Sequence, residues 1–374
     1  VQDWRVPLAG AEVPVVLGLA DPAAYRGPCD YMGAIVGRVA NRIGGASYPR
    51  NGGRQHLQAN DGPHLLHGGA GGLWAVDWEV ERLDSRSARF THRSPDGTMG
   101  FPGAVTFSVT VILRGHAVTW DMQARAEAET PISLAQHNYY ALSGGGIAGQ
   151  SLRIHAGRVL DRDPAGIMTG TIRKVDGGPL DYRAGRPLDP HAAPADDFLL
   201  FDPARDPALP VAELSAANGL RLRMWSDQPG AQLYTGQGMG PAEGGLPGRP
   251  LGPGAGLCLE PSGYPNGPNR PGFPSILCGP DSPYGRLGQI RGWVLLLGVD
   301  QDRNTTWHTA ETIADVPYLR TLTVPVLQSD GSIREVALPK SPWGHREFIR
   351  WDRPLSFDDF LAQAKETREK GYAM

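Results

Sequence analysis

Short apolar segments that alternate with polar residues recur along residues 1–278, and each is closed off by turn residues. VPVVLGL, AVDWEVERLD, AVTFSVTVIL, HAVTWDMQARAEAE, GLRLRMWS and AQLYTGQ are such segments, and PDG, NGG, GG and QPG are the turns between them. A period of two places apolar side chains on one face of a strand, and frequent turns leave no room for long helices. This texture confines the chain to a large antiparallel sandwich or barrel. The 50 glycines and 34 prolines among 374 residues would suggest disorder in a polar chain, but 40% of residues are hydrophobic, enough to build a core. From about residue 305 the texture changes, and SFDDFLAQAKETREKG reads as a helix with Ser356 as its N-cap.

A formal charge of -3 and a pI near 6.4 give no electrostatic case for nucleic acid or an anionic membrane. A small neutral ligand fits better, and the oligomeric state is left open. Cys29, Cys258 and Cys278 are too few and too scattered for a disulfide framework or zinc knuckle. Reduced thiols, and hence a cytoplasmic location, are expected. The N-terminal residues VQDWRVPLAGAEVP lack a basic start followed by an apolar core, and the apolar run Trp293 to Val299 is far short of a membrane span.

The polar motifs fall in a fixed order: GRVANRI (Gly37 to Ile43), ANDGPHLLHGG (Ala59 to Gly69), SPDGTMGFPG (Ser94 to Gly103) and PISLAQHNYYALSG (Pro131 to Gly144). SDQPGAQLYTGQ (Ser226 to Gln237) and LCLEPSGYPNGPN (Leu257 to Asn269) complete the set. In this order and spacing they resemble the aldose 1-epimerase (galactose mutarotase) family. The resemblance implies a mainly β fold, a large antiparallel β-supersandwich over residues 1–280, with a small α/β appendage over 281–374. It implies interconversion of the α and β anomers of an aldohexose, without metal or other cofactor.

Anomer interconversion needs one proton delivered to the ring oxygen and one removed from the C1 hydroxyl, so a paired acid and base is required. The resemblance places the acid at His137 and the base at Glu260. It places sugar contacts at Asn41, Arg42, His67 and Gln232, all able to hydrogen-bond hydroxyls directionally. The family carries an Asp three residues before a Phe, whereas PADDFLLF has Ala195 there, so a one-residue shift assigns the contact to Asp196. Ser262 and Asn266 stand where the family has Gln and Asp, which bears on substrate preference. The chain begins inside what should be an early strand, and the family's last strand is not recognisable after Leu277.

A second constellation follows the seam GPDSPY. The segment GWVLLLGVDQDRNTTWHTAE (Gly292 to Glu311) resembles the later part of the aminoglycoside 3-N-acetyltransferase family. His308 and Glu311, three residues apart on a helix face, would there be the base and its orienting carboxylate. Nothing upstream resembles the acyl-donor half of such an enzyme, and no third ligand points to zinc. Alternatives to the epimerase reading are therefore acyl transfer by this segment or an inactive sugar-binding fusion. A structural role is also expected for it, with GWVLLLGV supplying the missing last strand of the sandwich.

Overall fold

The computed structural model describes residues 1–291, apart from 9–10, 27–30 and 241–243, together with short strands at 298–299, 305–306, 322–327 and 333–338. The chain divides into two compact units, Val1–Val294 and Leu295–Met374. The first is built on two large antiparallel sheets, as the period-two segments imply, with a six-stranded and a nine-stranded ladder.

The nine-stranded sheet runs Arg186–Pro187, Ser151–Ile154, Ala212–Ser215, Arg221–Ser226, Tyr284–Arg291, Ala117–Ala126, Val105–Arg114, Ser87–Ser94 and Glu79–Arg82 in spatial order. Alternation decides its faces. Phe107 and Val109, with Trp120, Met122 and Ala124 on the neighbouring strand, are buried, while Thr106, Ser108, Gln123 and Arg125 point the other way. A strand is present after Leu277: Tyr284–Arg291 pairs with Ala117–Ala126 on one side and Arg221–Ser226 on the other. The sheet thus continues beyond the expected boundary at residue 280. Of the segment expected to supply that strand, Gly298 and Val299 pair with Thr306 and Thr305, and 293–297 lie outside the described residues.

The six-stranded sheet is ordered Tyr139–Tyr140, Leu257–Ser262, Gly230–Tyr234, Asp196–Phe201, Ala156–Arg162 and Met168–Lys174. Leu257–Ser262 is buried at every position and Gly230–Tyr234 at all but its last. Both faces of these central strands are therefore covered, one by apolar core and the other by the loops that carry the polar motifs. In the second unit, Leu322–Leu327 and Ile333–Leu338 form a hairpin. His308, Glu311 and the helix expected from Ser356 lie outside the described residues. Among the described residues no helix is long and apolar enough to cross a membrane, and Cys258 and Cys278 are buried and form no disulfide.

Candidate active site

Three neighbouring strands of the six-stranded sheet deliver the site's polar row. Gln232 lies directly opposite Glu260 on one side and Phe198 on the other. Asp196, two residues before Phe198, is diagonal to Gln232, within reach across the pleat. The Gln232 amide accordingly donates from Nε2 to Asp196 Oδ1 at 2.7 Å, while its Oε1 accepts from Asn41 Nδ2 at 3.0 Å. Both ends of Gln232 are thus engaged with protein, so it braces its neighbours.

Two left-handed residues bring the loops onto this row. Asn41 (φ 62°) and His67 (φ 52°) bond reciprocally: His67 N donates to the Asn41 carbonyl at 3.1 Å, and Asn41 N donates to His67 Nδ1 at 3.2 Å. Asn tolerates this backbone region; for His it is uncommon and is held here by its neighbours. Gly68 permits the approach, since at φ 86° a Cβ would lie 1.8 Å from the Gly37 carbonyl oxygen. Arg42 N donates to Asn41 Oδ1, and Arg42 Nε donates to Asp61 Oδ2 at 2.6 Å, aiming the guanidinium. Gly166 leaves room for it, because a Cβ there would come 3.1 Å from a terminal guanidinium nitrogen.

His137 enters from a short bridge in which Ala135 and Gln136 pair with Val36 and Ile35. Its own N–H donates to the Ala34 carbonyl and its carbonyl accepts from Gly33 N. Gln136 ties this segment to the Glu260-bearing strand by donating to the Leu259 carbonyl at 2.7 Å. His137 Nε2 then lies 3.6 Å from Glu260 Oε1, with each side chain only 5% exposed. The rings of Tyr31, His67 and Tyr139 stand 5.6, 5.2 and 5.2 Å from that of His137.

Burial governs the charge states. It pushes the Glu260 carboxyl up to about 8, helped by the nearby Asp196 carboxylate. It draws the His137 imidazole down to about 4 and holds His67, which also faces His137 and Arg42, well below the usual histidine range. At neutral pH the empty site holds a protonated Glu260 and a neutral His137. The pair carries one exchangeable proton, at rest on the carboxyl rather than the imidazole, because burial disfavours an ion pair.

His67, His137 and Glu260 present ligand atoms within 4.8 Å of one another, close enough to share an ion. The donor set fits a sugar better than a metal. His67 Nδ1 accepts from Asn41 N, so its neutral ring carries the proton on Nε2, a donor for a hydroxyl and not a free lone pair.

Every expected residue of the first unit is thereby brought together: His137, Glu260, Asn41, Arg42, His67, Gln232 and Asp196. Sequence reasoning missed Asp61, Gln136 and Tyr31. Asp61 lies inside a quoted motif and Gln136 precedes the expected acid, but nothing in a linear reading distinguishes a brace from a spacer. Asn266 uses its whole amide structurally, accepting from Gly44 N and Asn269 Nδ2 and donating to the Met168 carbonyl, and Ser262 donates to the adjacent Gly263 carbonyl. Asn266 N also donates to the Arg42 carbonyl at 2.9 Å, so this departure shapes the loop around Arg42.

The chain is similar to known proteins over most of its length. Residues 1–289 match the family model for aldose 1-epimerase, and residues 274–370 match that for aminoglycoside 3-N-acetyltransferase. A galactose mutarotase from Sus scrofa is 34% identical over 278 residues, covering 72% of this chain and 81% of that protein. An aldose 1-epimerase from Escherichia coli K12 is 28% identical, covering 74% and 86%. A solved GalM/aldose epimerase homologue from C. elegans superposes with a TM-score of 0.73 at 25% identity, covering 77% of this chain and 91% of that one. With a family model matching residues 1–289 and a relative 34% identical over 278 residues, the chain belongs to the aldose 1-epimerase family.

Proposed function

We propose that His137 and Glu260 interconvert the anomers of a neutral aldohexose, galactose or glucose, by exchanging protons with its ring oxygen and C1 hydroxyl. The observation that carries this reading is the buried contact of 3.6 Å between His137 Nε2 and Glu260 Oε1, with one proton on the pair at neutral pH. A hexose between them sets its hydroxyls against both groups and stabilises the imidazolium–carboxylate form of the pair. Glu260 then takes the C1 hydroxyl proton while His137 Nε2 gives its proton to the ring oxygen. The C1–O bond breaks to the open aldehyde, C1 turns about the bond to C2, and closure reverses both transfers. The proton count of protein plus sugar is unchanged at every stage.

In this reading His67 Nε2–H and the Arg42 guanidinium donate to sugar hydroxyls, and Asp196 accepts from one. Asn41 and Gln232 hold these groups in register. The porcine relative is a galactose mutarotase, which makes α-D-galactose the first sugar to test. Polarimetry of freshly dissolved α-D-galactose and α-D-glucose should show the optical rotation relaxing faster than the spontaneous rate. Folded protein that leaves the rate unchanged for both sugars would sink the proposal. His137→Ala and Glu260→Ala should each lower kcat by about two orders of magnitude or more, the scale of a lost general acid or base. The segment that matches the acetyltransferase family adds no second activity here: an acetyl-CoA titration is expected to show no binding.

A further inference from the structure

One strand grips both edges of the His137 ring. Cys258 and Glu260, two residues apart on Leu257–Ser262, lie on the same face by alternation. Tyr139 pairs with Cys258 across the ladder, which sets His137, two residues earlier, against that face. Glu260 Oε1 meets Nε2 at 3.6 Å, and Cys258 Sγ meets Nδ1 at 3.5 Å, a normal length for a nitrogen–sulfur hydrogen bond. The thiol is fully buried.

We propose that Cys258 is a positioning residue whose sulfur accepts from His137 Nδ1–H and so reserves Nε2 as the nitrogen that exchanges protons. This rests on the reading of His137 as acid. Chemistry requires that selection: a ring that gives up its Nε2 proton must keep the other on Nδ1, or it presents no lone pair to take the proton back. The inner edge of the ring offers two acceptors, the Cys258 sulfur and the His137 carbonyl oxygen, which already accepts from Gly33 N. A carboxylate in place of the sulfur would raise the basicity of the ring and favour its charged form. A weakly accepting sulfur fixes the tautomer while leaving the ring a poor base, in keeping with its depressed protonation. His67 is held in the opposite tautomer by Asn41 N, so the two adjacent histidines have separate tasks: fixed donor and proton exchanger.

The test compares Cys258→Ala, Cys258→Ser and wild type in the full chain by mutarotation kinetics and by nitrogen-15 histidine NMR near pH 7, with His137 assigned from a His137→Asn difference spectrum. Wild type should show a neutral His137 protonated at Nδ1. Cys258→Ala should populate the Nε2–H form and lose about tenfold in kcat, with KM changed less than about twofold, the worth of one ordinary hydrogen bond. Cys258→Ser, which keeps an acceptor, should recover most of that loss. A wild-type ring protonated at Nε2, or a Cys258→Ala variant unchanged in both tautomer and kcat, overturns the inference. If wild type itself fails to speed mutarotation, the catalytic reading falls while the tautomer comparison still decides whether Cys258 orients the ring.

Discussion

At the scale of single residues, the protonation of the His137–Glu260 pair is set by desolvation acting on two groups in opposite directions. In the proposed mechanism the competent form carries one proton on the pair, so protonation of both partners and loss of both protons should each inactivate. The rate should be level between about pH 4 and pH 8, fall below 4 as His137 and Glu260 are both protonated, and fall above 8 as the last proton leaves. A pH–rate profile for the free enzyme checks this, and a single limb with no decline above pH 8 contradicts the assignment of Glu260. The same burial has a stability cost with a definite sign. An unfolded carboxyl loses its proton near 4.5 while the folded one keeps it to about 8, so each pH unit in that window lowers stability by about 1.4 kcal/mol. Glu260→Gln cannot ionise. Its melting temperature should exceed that of wild type at pH 8, with the gap closing as pH falls toward 4.5. His137, Glu260 and Asn41 were legible in the sequence because their motifs keep family order. Cys258 and Asp61 were not, because their roles depend on which neighbour a strand face or loop sets within a few ångströms.

At the scale of elements, the histidine-bearing loop depends on a backbone approach that no side chain can share. In Gly68→Ala the new Cβ would meet the Gly37 carbonyl at 1.8 Å and the residue would be held at φ 86°. Strain of both kinds should remove at least about 3 kcal/mol of stability, read by chemical denaturation, with activity lost through displacement of His67. The alternating strands were legible because one face of the nine-stranded sheet is buried and the other is not. The strand Tyr284–Arg291 was missed for a physical reason. Its sequence YGRLGQIR holds two glycines and two arginines and lacks the β-branched alternation of its neighbours, so its strand character is imposed by the ladders on either side. The apolar run GWVLLLGV just after it is the stronger local signal and drew the expectation a few residues too far along the chain.

At the scale of the whole molecule, that strand settles where the epimerase unit can be divided. A chain ended at residue 294 retains all nine strands of the larger sheet and should keep mutarotase activity. A chain ended at residue 283 would leave Ala117–Ala126 and Arg221–Ser226 facing each other with unpaired backbone groups in mid-sheet, and should be recovered only as aggregate. Expression and polarimetry of the two truncations separate these outcomes, and an active shorter chain would contradict the topology. The two-sided pairing of Tyr284–Arg291 also has a temporal meaning. Each half of the large sheet can form its own hairpins early in synthesis, but the register that joins Trp120 to Gly288 and Trp225 to Gln289 waits for the last strand to leave the ribosome. During that interval two ragged, half-finished sheet edges are open to any passing strand. Chain beyond Arg291 must fill the exit tunnel before that strand is free, so synthesis past the strand sets when the large sheet can close.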